Sequence, residues 1–192
     1  IKLHLTCIVS TKSMNTIMKY LVLSLLIPLS SLVHSQSIFE VIEKKDYNQL
    51  EALLSAGEPT NQYNENGMTP LYMAVFRNDT TAVNRLISHG ADVNGLSQQG
   101  LPAIVIGSVA NSMEPVRILL ENGADVNWRS DAVGNQQPIR LASREGSLEL
   151  IKLLLEFGAD MESSASDGAT PLMAAVHGNN IDVARFFFEN GA

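Results

Sequence analysis

The chain has 192 residues, 45% of them apolar, enough for one or two soluble domains with a buried core. Its formal net charge of −7 is unevenly spread: all 20 acidic residues lie at or after Glu40, and beyond Gln36 only ten bases oppose them. A surface of that sign excludes a nucleic-acid partner, which needs a basic stripe to neutralise phosphates, and equally excludes docking on an anionic membrane. Cys7 is the one cysteine, so no disulfide framework, Cys-X-X-Cys pair or thiol nucleophile is expected in the folded part.

Residues 1–17 hold no recognisable element and read as sequence upstream of the true start, for which Met14 and Met18 are the candidates, or as an N-terminal extension. From Met18 the layout is that of a cleaved signal peptide over 18–35. Lys19 supplies the positive end, Tyr20 to Val33 is a run poor in charge, and Val33 and Ser35 put small residues before a cleavage site at Gln36. The run falls short of the roughly 20 residues a helix needs to cross a bilayer. The mature protein is therefore expected to start near Gln36, without a membrane span, in the periplasm or outside the cell, with the cytoplasm as the alternative. The short signal is of bacterial style, so the Asn78-Asp79-Thr80 sequon carries little weight.

Beyond Gln36 the chain repeats itself. A glycine closing an apolar helical pattern recurs at Gly57, Gly90, Gly123, Gly158 and Gly191, at spacings of 33, 33, 35 and 33. Three of these open one phrase: Gly90-Ala91-Asp92-Val93-Asn94, Gly123-Ala124-Asp125-Val126-Asn127 and Gly158-Ala159-Asp160-Met161-Glu162. Thr69-Pro70-Leu71 and Thr170-Pro171-Leu172 form a second phrase, each with an alanine three residues further on. Threonine suits an N-cap, and proline suits N1, where its missing donor costs nothing. Ala74 and Ala175 leave room for a second helix, which glycine then closes in the left-handed conformation. Each unit bares an apolar face that only a neighbour can cover.

Period and both phrases resemble the ankyrin repeat, over roughly Ser37 to Ala192. The resemblance implies an all-α solenoid of stacked helix–turn–helix units with protruding loops or short hairpins. Its units are 37–61, a capping repeat with Glu40, Glu43, Lys44, Lys45 and Asp46 on an outer face; 62–94; 95–127; 128–162, with two residues inserted between Trp128 and Asn135; and 163–192, truncated at Gly191-Ala192. There Phe187 and Phe188 are expected to face no following repeat, as if a further repeat or cap belonged beyond them. The third unit has Pro102 one place early, and the fourth has Gln137 in place of threonine. Where the family carries a histidine after the proline, this chain has Tyr72, Val105, Arg140 and Met173. The loop contacts such a histidine makes are expected to be missing, leaving more mobile loops.

No residue pattern points to chemistry. His89 sits at a helix end, where its charge suits the dipole, and neither it nor His177 belongs to a zinc-binding spacing. Phosphate loops, dinucleotide fingerprints and nucleophile elbows are lacking, and Asp92, Asp125 and Asp160 recur periodically as loop-closing residues. No catalytic, cofactor or metal residue is therefore expected, and no cofactor. The resemblance implies a monomeric module binding another protein through a concave surface. Its contact positions are Glu65, Asn66, Met68, Tyr72, Phe76 and Arg77 in the second unit, and Gln98, Gln99, Leu101 and Val109 in the third. The fourth supplies Trp128, Gln136, Arg140, Arg144 and Glu145, and the fifth Ser166, Asp167 and His177. Tyr72, Phe76, Trp128, Arg140 and Arg144 are of the types enriched at hot spots. Scaffold and inhibitory or protective partner remain equivalent readings; the alternative is a targeting arm of an enzyme whose catalytic part lies beyond Ala192.

Overall fold

The computed structural model describes residues 36–130, Gly134 and 136–192; the expected signal segment and residues 1–17 lie outside them, as does most of the loop before Asn135. Among the described residues ten helices follow one another as five pairs. They are α1 (Ile38–Lys44) and α2 (Tyr47–Ser55), α3 (Pro70–Phe76) and α4 (Thr80–Ser88), α5 (Ala103–Val109) and α6 (Met113–Glu121), α7 (Pro138–Glu145) and α8 (Leu148–Glu156), and α9 (Pro171–His177) and α10 (Ile181–Glu189). The first helices pack in a row, α1 on α3, α3 on α5, α5 on α7 and α7 on α9, with the second helices α2, α4 and α6 behind them. This is an all-α repeat solenoid. Its loops form no strand among the described residues; Leu96 and Pro102 share one antiparallel bridge.

Local chemistry sets each pair. The Oγ1 atoms of Thr69 and Thr170 accept from the backbone N–H of Tyr72 at 3.1 Å and of Met173 at 3.3 Å. Pro102 and Gln137 hold the same cap positions without a side-chain bond, a loss worth about 1 kcal/mol at each helix start. Between the helices of every pair one residue turns the chain with positive φ: Lys45, Asn78, Asn111, Gly146 and Asn179. Gly178 lies so close to the Arg144 carbonyl that a Cβ there would collide with it. Ser108 and Ser143, fully buried, satisfy their hydroxyls on the carbonyls of Ile104 and Ile139 four residues back.

The core runs through the stack as Leu50, Val83, Val116 and Ile151, with Leu86, Leu119 and Leu154 beside them, all fully buried. Phe187 continues this second row and is also fully buried, whereas Phe188 is 75% exposed. The expectation that both phenylalanines would be uncovered therefore fails for Phe187. It stands three residues after Ala184, as Leu154 stands after Ile151, and the described residues cover it fully.

The loops are tied to one another by asparagines. Asn61 Oδ1 accepts from the Asp92 N–H at 3.0 Å, Asn94 Oδ1 from Asp125 at 2.9 Å and Asn127 Oδ1 from Asp160 at 2.9 Å. Asn94 Nδ2 and Asn127 Nδ2 donate to the carbonyls of Gly123 and Gly158. Asp92, Asp125 and Asp160 each accept from the N–H two residues on, which is the loop-closing role read from their period. These bonds tie neighbouring loops to one another although the family's histidines are absent. Asn127→Ala removes two of them at once and is expected to cost about 1–2 kcal/mol. The urea midpoint measures that loss, and a change within error would show the ladder to be idle.

Candidate protein-binding surface

The first helices stand side by side in a row, each preceded by a loop tip, of which the one before α7 is described only in part. On α3 the Thr69 cap fixes the register, so Tyr72 and Phe76 lie one turn apart on the outer side while Leu71, Ala74 and Val75 are buried. Phe76 is 52% exposed, as its family position implies. Tyr72 is half-buried, and burial raises its phenol above the ordinary tyrosine range. At the tips, the Gln98 N–H donates to the Gly67 carbonyl at 2.8 Å and Gln99 Nε2 to the Asn66 carbonyl at 3.1 Å. Gly67 has φ +71, and a Cβ there would lie 2.7 Å from the Gln98 Cβ, so the tips touch only because this residue is glycine.

None of the eighteen positions carried over from the family is buried. Glu65, Asn66, Phe76, Arg77, Gln98, Gln99, Arg144, Glu145, Ser166, Asp167 and His177 are exposed; Met68, Tyr72, Leu101, Val109, Trp128, Gln136 and Arg140 are half-buried. Arg77 reaches back to Glu43 at 3.6 Å and Arg144 pairs with Glu145 at 3.1 Å. Four of the positions come together: Arg140 and Arg144 of α7, with Asp167 and His177 of the next unit, line a cavity of about 310 Å³ completed by Ala169, Met173 and Ala174. Arg140 Nη2 donates to Gln136 Oε1 at 2.9 Å, which steadies the guanidinium on the rim. Trp128 does not line this cavity.

Sequence reading missed Tyr63 and Leu96, exposed by 48% and 44% on neighbouring loop tips. The Tyr63 hydroxyl donates to the Leu96 carbonyl at 3.2 Å. With Arg129 they recur every 33 residues, and that period was the available signal. Met173, 58% exposed, was noted only as a histidine replacement. A second, polar cavity of about 280 Å³ lies among Asn127, Arg129, Gln137, Asp160 and Ser163, where Gln137 Oε1 and Ser163 Oγ are buried without a partner.

Residues 38–130 and 129–192 match the family of ankyrin repeats, described as three copies. The chain belongs to the ankyrin-repeat family. Ankyrin repeats are generally protein–protein interaction modules and typically not enzymes. No curated protein matches this ankyrin chain. Among the described residues no three His, Cys, Asp or Glu side chains are placed to hold a metal ion, and no helix is long and apolar enough to cross a membrane.

Proposed function

We propose that this ankyrin stack is a non-enzymatic module that binds a protein across the first-helix and loop-tip surface, and that it acts after export with residues 18–35 removed. The observation that carries the binding reading is Phe76, an aromatic half in solvent at the end of α3 with Tyr72 one turn before it. Large aromatics left on an otherwise polar face are the usual anchors of an interface. The acidic balance of the chain beyond Gln36 supports a protein rather than a nucleic acid as the partner.

Phe76→Ala is expected to weaken partner binding by about 2 kcal/mol or more while leaving folding within about 0.5 kcal/mol, because the ring is largely outside the core. Capture from the exported fraction with the native protein and with Phe76→Ala, followed by titration calorimetry on the captured protein, measures both. A partner held equally by the two forms would place the interface elsewhere. For export, the mass of the native protein is expected to correspond to a start near Gln36, and a form retaining Tyr20 to Leu32 would overturn that part.

A further inference from the structure

We propose that the cavity between α7 and α9 is a subsite for a carboxylate carried by the partner protein, on an acidic side chain or at a chain end. This rests on the binding surface argued above and specifies its chemistry. Among the described residues seven arginines occur, and five of them have a carboxylate within 4.0 Å: Arg77, Arg85, Arg117, Arg144 and Arg185. Arg129 and Arg140 do not, and both line cavities beside the fifth unit. Around Arg129 the wall includes Asp160. Around Arg140 it includes Arg144 and His177, with Asp167 as the one acid among the lining residues.

Asp167 turns Oδ1 to the Ala169 N–H at 3.0 Å and forms no ion pair with either arginine within 4.0 Å. The bond Arg140 makes is to the neutral Gln136, and its Nε is buried with no partner at all. A guanidinium held in place, partly desolvated and with no carboxylate within 4.0 Å is set for one, whose two oxygens match its planar fork. Arg144 stands one turn along the same helix and adds a second cation to the wall, half-answered by Glu145. The chain beyond Gln36 carries 20 acids against ten bases, so an acidic segment is repelled by most of it and accepted here. Met173 on the wall favours an apolar residue beside the acidic one.

Three peptides test this by titration of the purified protein, followed through Arg Nε–H and backbone amide signals. They are acetyl-Gly-Leu-Glu-Glu-Leu-Gly-amide, its Gln-for-Glu counterpart, and that counterpart with a free carboxyl end. Either charged peptide is expected to bind about tenfold more tightly than the neutral amide, the gain of one charge-assisted hydrogen bond. Which of the two does so separates a side-chain from a terminal carboxylate. The gain should vanish in Arg140→Gln, be reduced in Arg144→Gln and Arg140→Lys, and survive in Arg117→Gln, whose residue pairs with Glu114 on α6. Equal binding of charged and neutral peptides would sink the subsite, as would a gain indifferent to Arg140 and Arg144, or no binding by about 1 mM. If charged and neutral peptides bind equally while the Tyr72 and Phe76 signals move, the surface reading stands and only the carboxylate falls. Shifts confined to α2, α4 and α6 would remove both.

Discussion

Phe187→Ala is expected to destabilise the fold by about 3–5 kcal/mol, whereas Phe188→Ala costs about 0.5 kcal/mol or less. The two rings are neighbours in sequence, yet one has no exposed surface and the other is three-quarters in solvent. Phe187 stands where the other units place Leu53, Leu86, Leu119 and Leu154, all at 2% exposure or less. It meets Phe186 edge to face, with centroids 5.8 Å apart. Truncation leaves a void in the buried row that the surrounding helices have little means to fill. A solenoid's stability is close to a sum of unit and interface terms, so the loss should appear first as opening of the last pair. Hydrogen exchange of the α9 and α10 amides, beside urea unfolding, separates that local opening from global unfolding. Equal costs for the two substitutions would contradict the burial difference.

The same pair shows what sequence reading could and could not reach. Period alone assigned the fold, because glycine closures and threonine–proline caps have a physical reason to recur at one spacing, and the helices are where they put them. The period also held the answer for Phe187, since the first residue of each Leu-Leu or Leu-Ile pair is the inner one. Composition hid it: two adjacent phenylalanines near the end read as one exposed patch. The left-handed turn between paired helices was less legible. Asn78, Asn111, Gly146 and Asn179 suit positive φ, but Lys45 at φ 55 shows its role only by its position in the repeat.

On the proposed binding surface the exposed positions were legible one by one, because a residue on the outer side of a first helix stays there in every unit. Their grouping was not. Arg140 and Arg144 meet Asp167 and His177 across the α7–α9 packing, and no spacing within one unit encodes that meeting. The missing histidines suggested untethered loops; the asparagines at 61, 94 and 127 tie them instead, through side chains whose targets lie about one repeat away.

Asp79→Ala is expected to cost about 2–3 kcal/mol, because one carboxylate serves two units. Its Oδ1 accepts from the Ala82 N–H at 3.0 Å and so caps α4. Its two oxygens also accept from the Tyr47 hydroxyl of the preceding pair, at 3.1 and 3.2 Å, and the residue is only 4% exposed. Removing it leaves a helix N–H without its cap and takes from the Tyr47 phenol its bond to the next pair. Tyr47→Phe removes only the second bond, so a loss of about 1 kcal/mol is expected, and the double variant should fall short of the sum. The pair also sets an alkaline limit. Desolvation, then the hydrogen bond to Asp79 and its charge, raise the Tyr47 phenol above its ordinary value, against a smaller opposing bond to Thr81. A raised acid is one whose protonated form the fold prefers. Its contribution is therefore whole below the unfolded tyrosine value of about 10 and is lost as pH rises through the higher folded value. Tyr72 is raised by burial and acts with the same sign, so the difference between the native protein and Tyr47→Phe isolates the first ring. Urea midpoints are expected to diverge at neutral pH and to converge as the solution becomes strongly alkaline. A gap that stays constant across that range would show that the Tyr47 proton has no part in holding the first two repeats together.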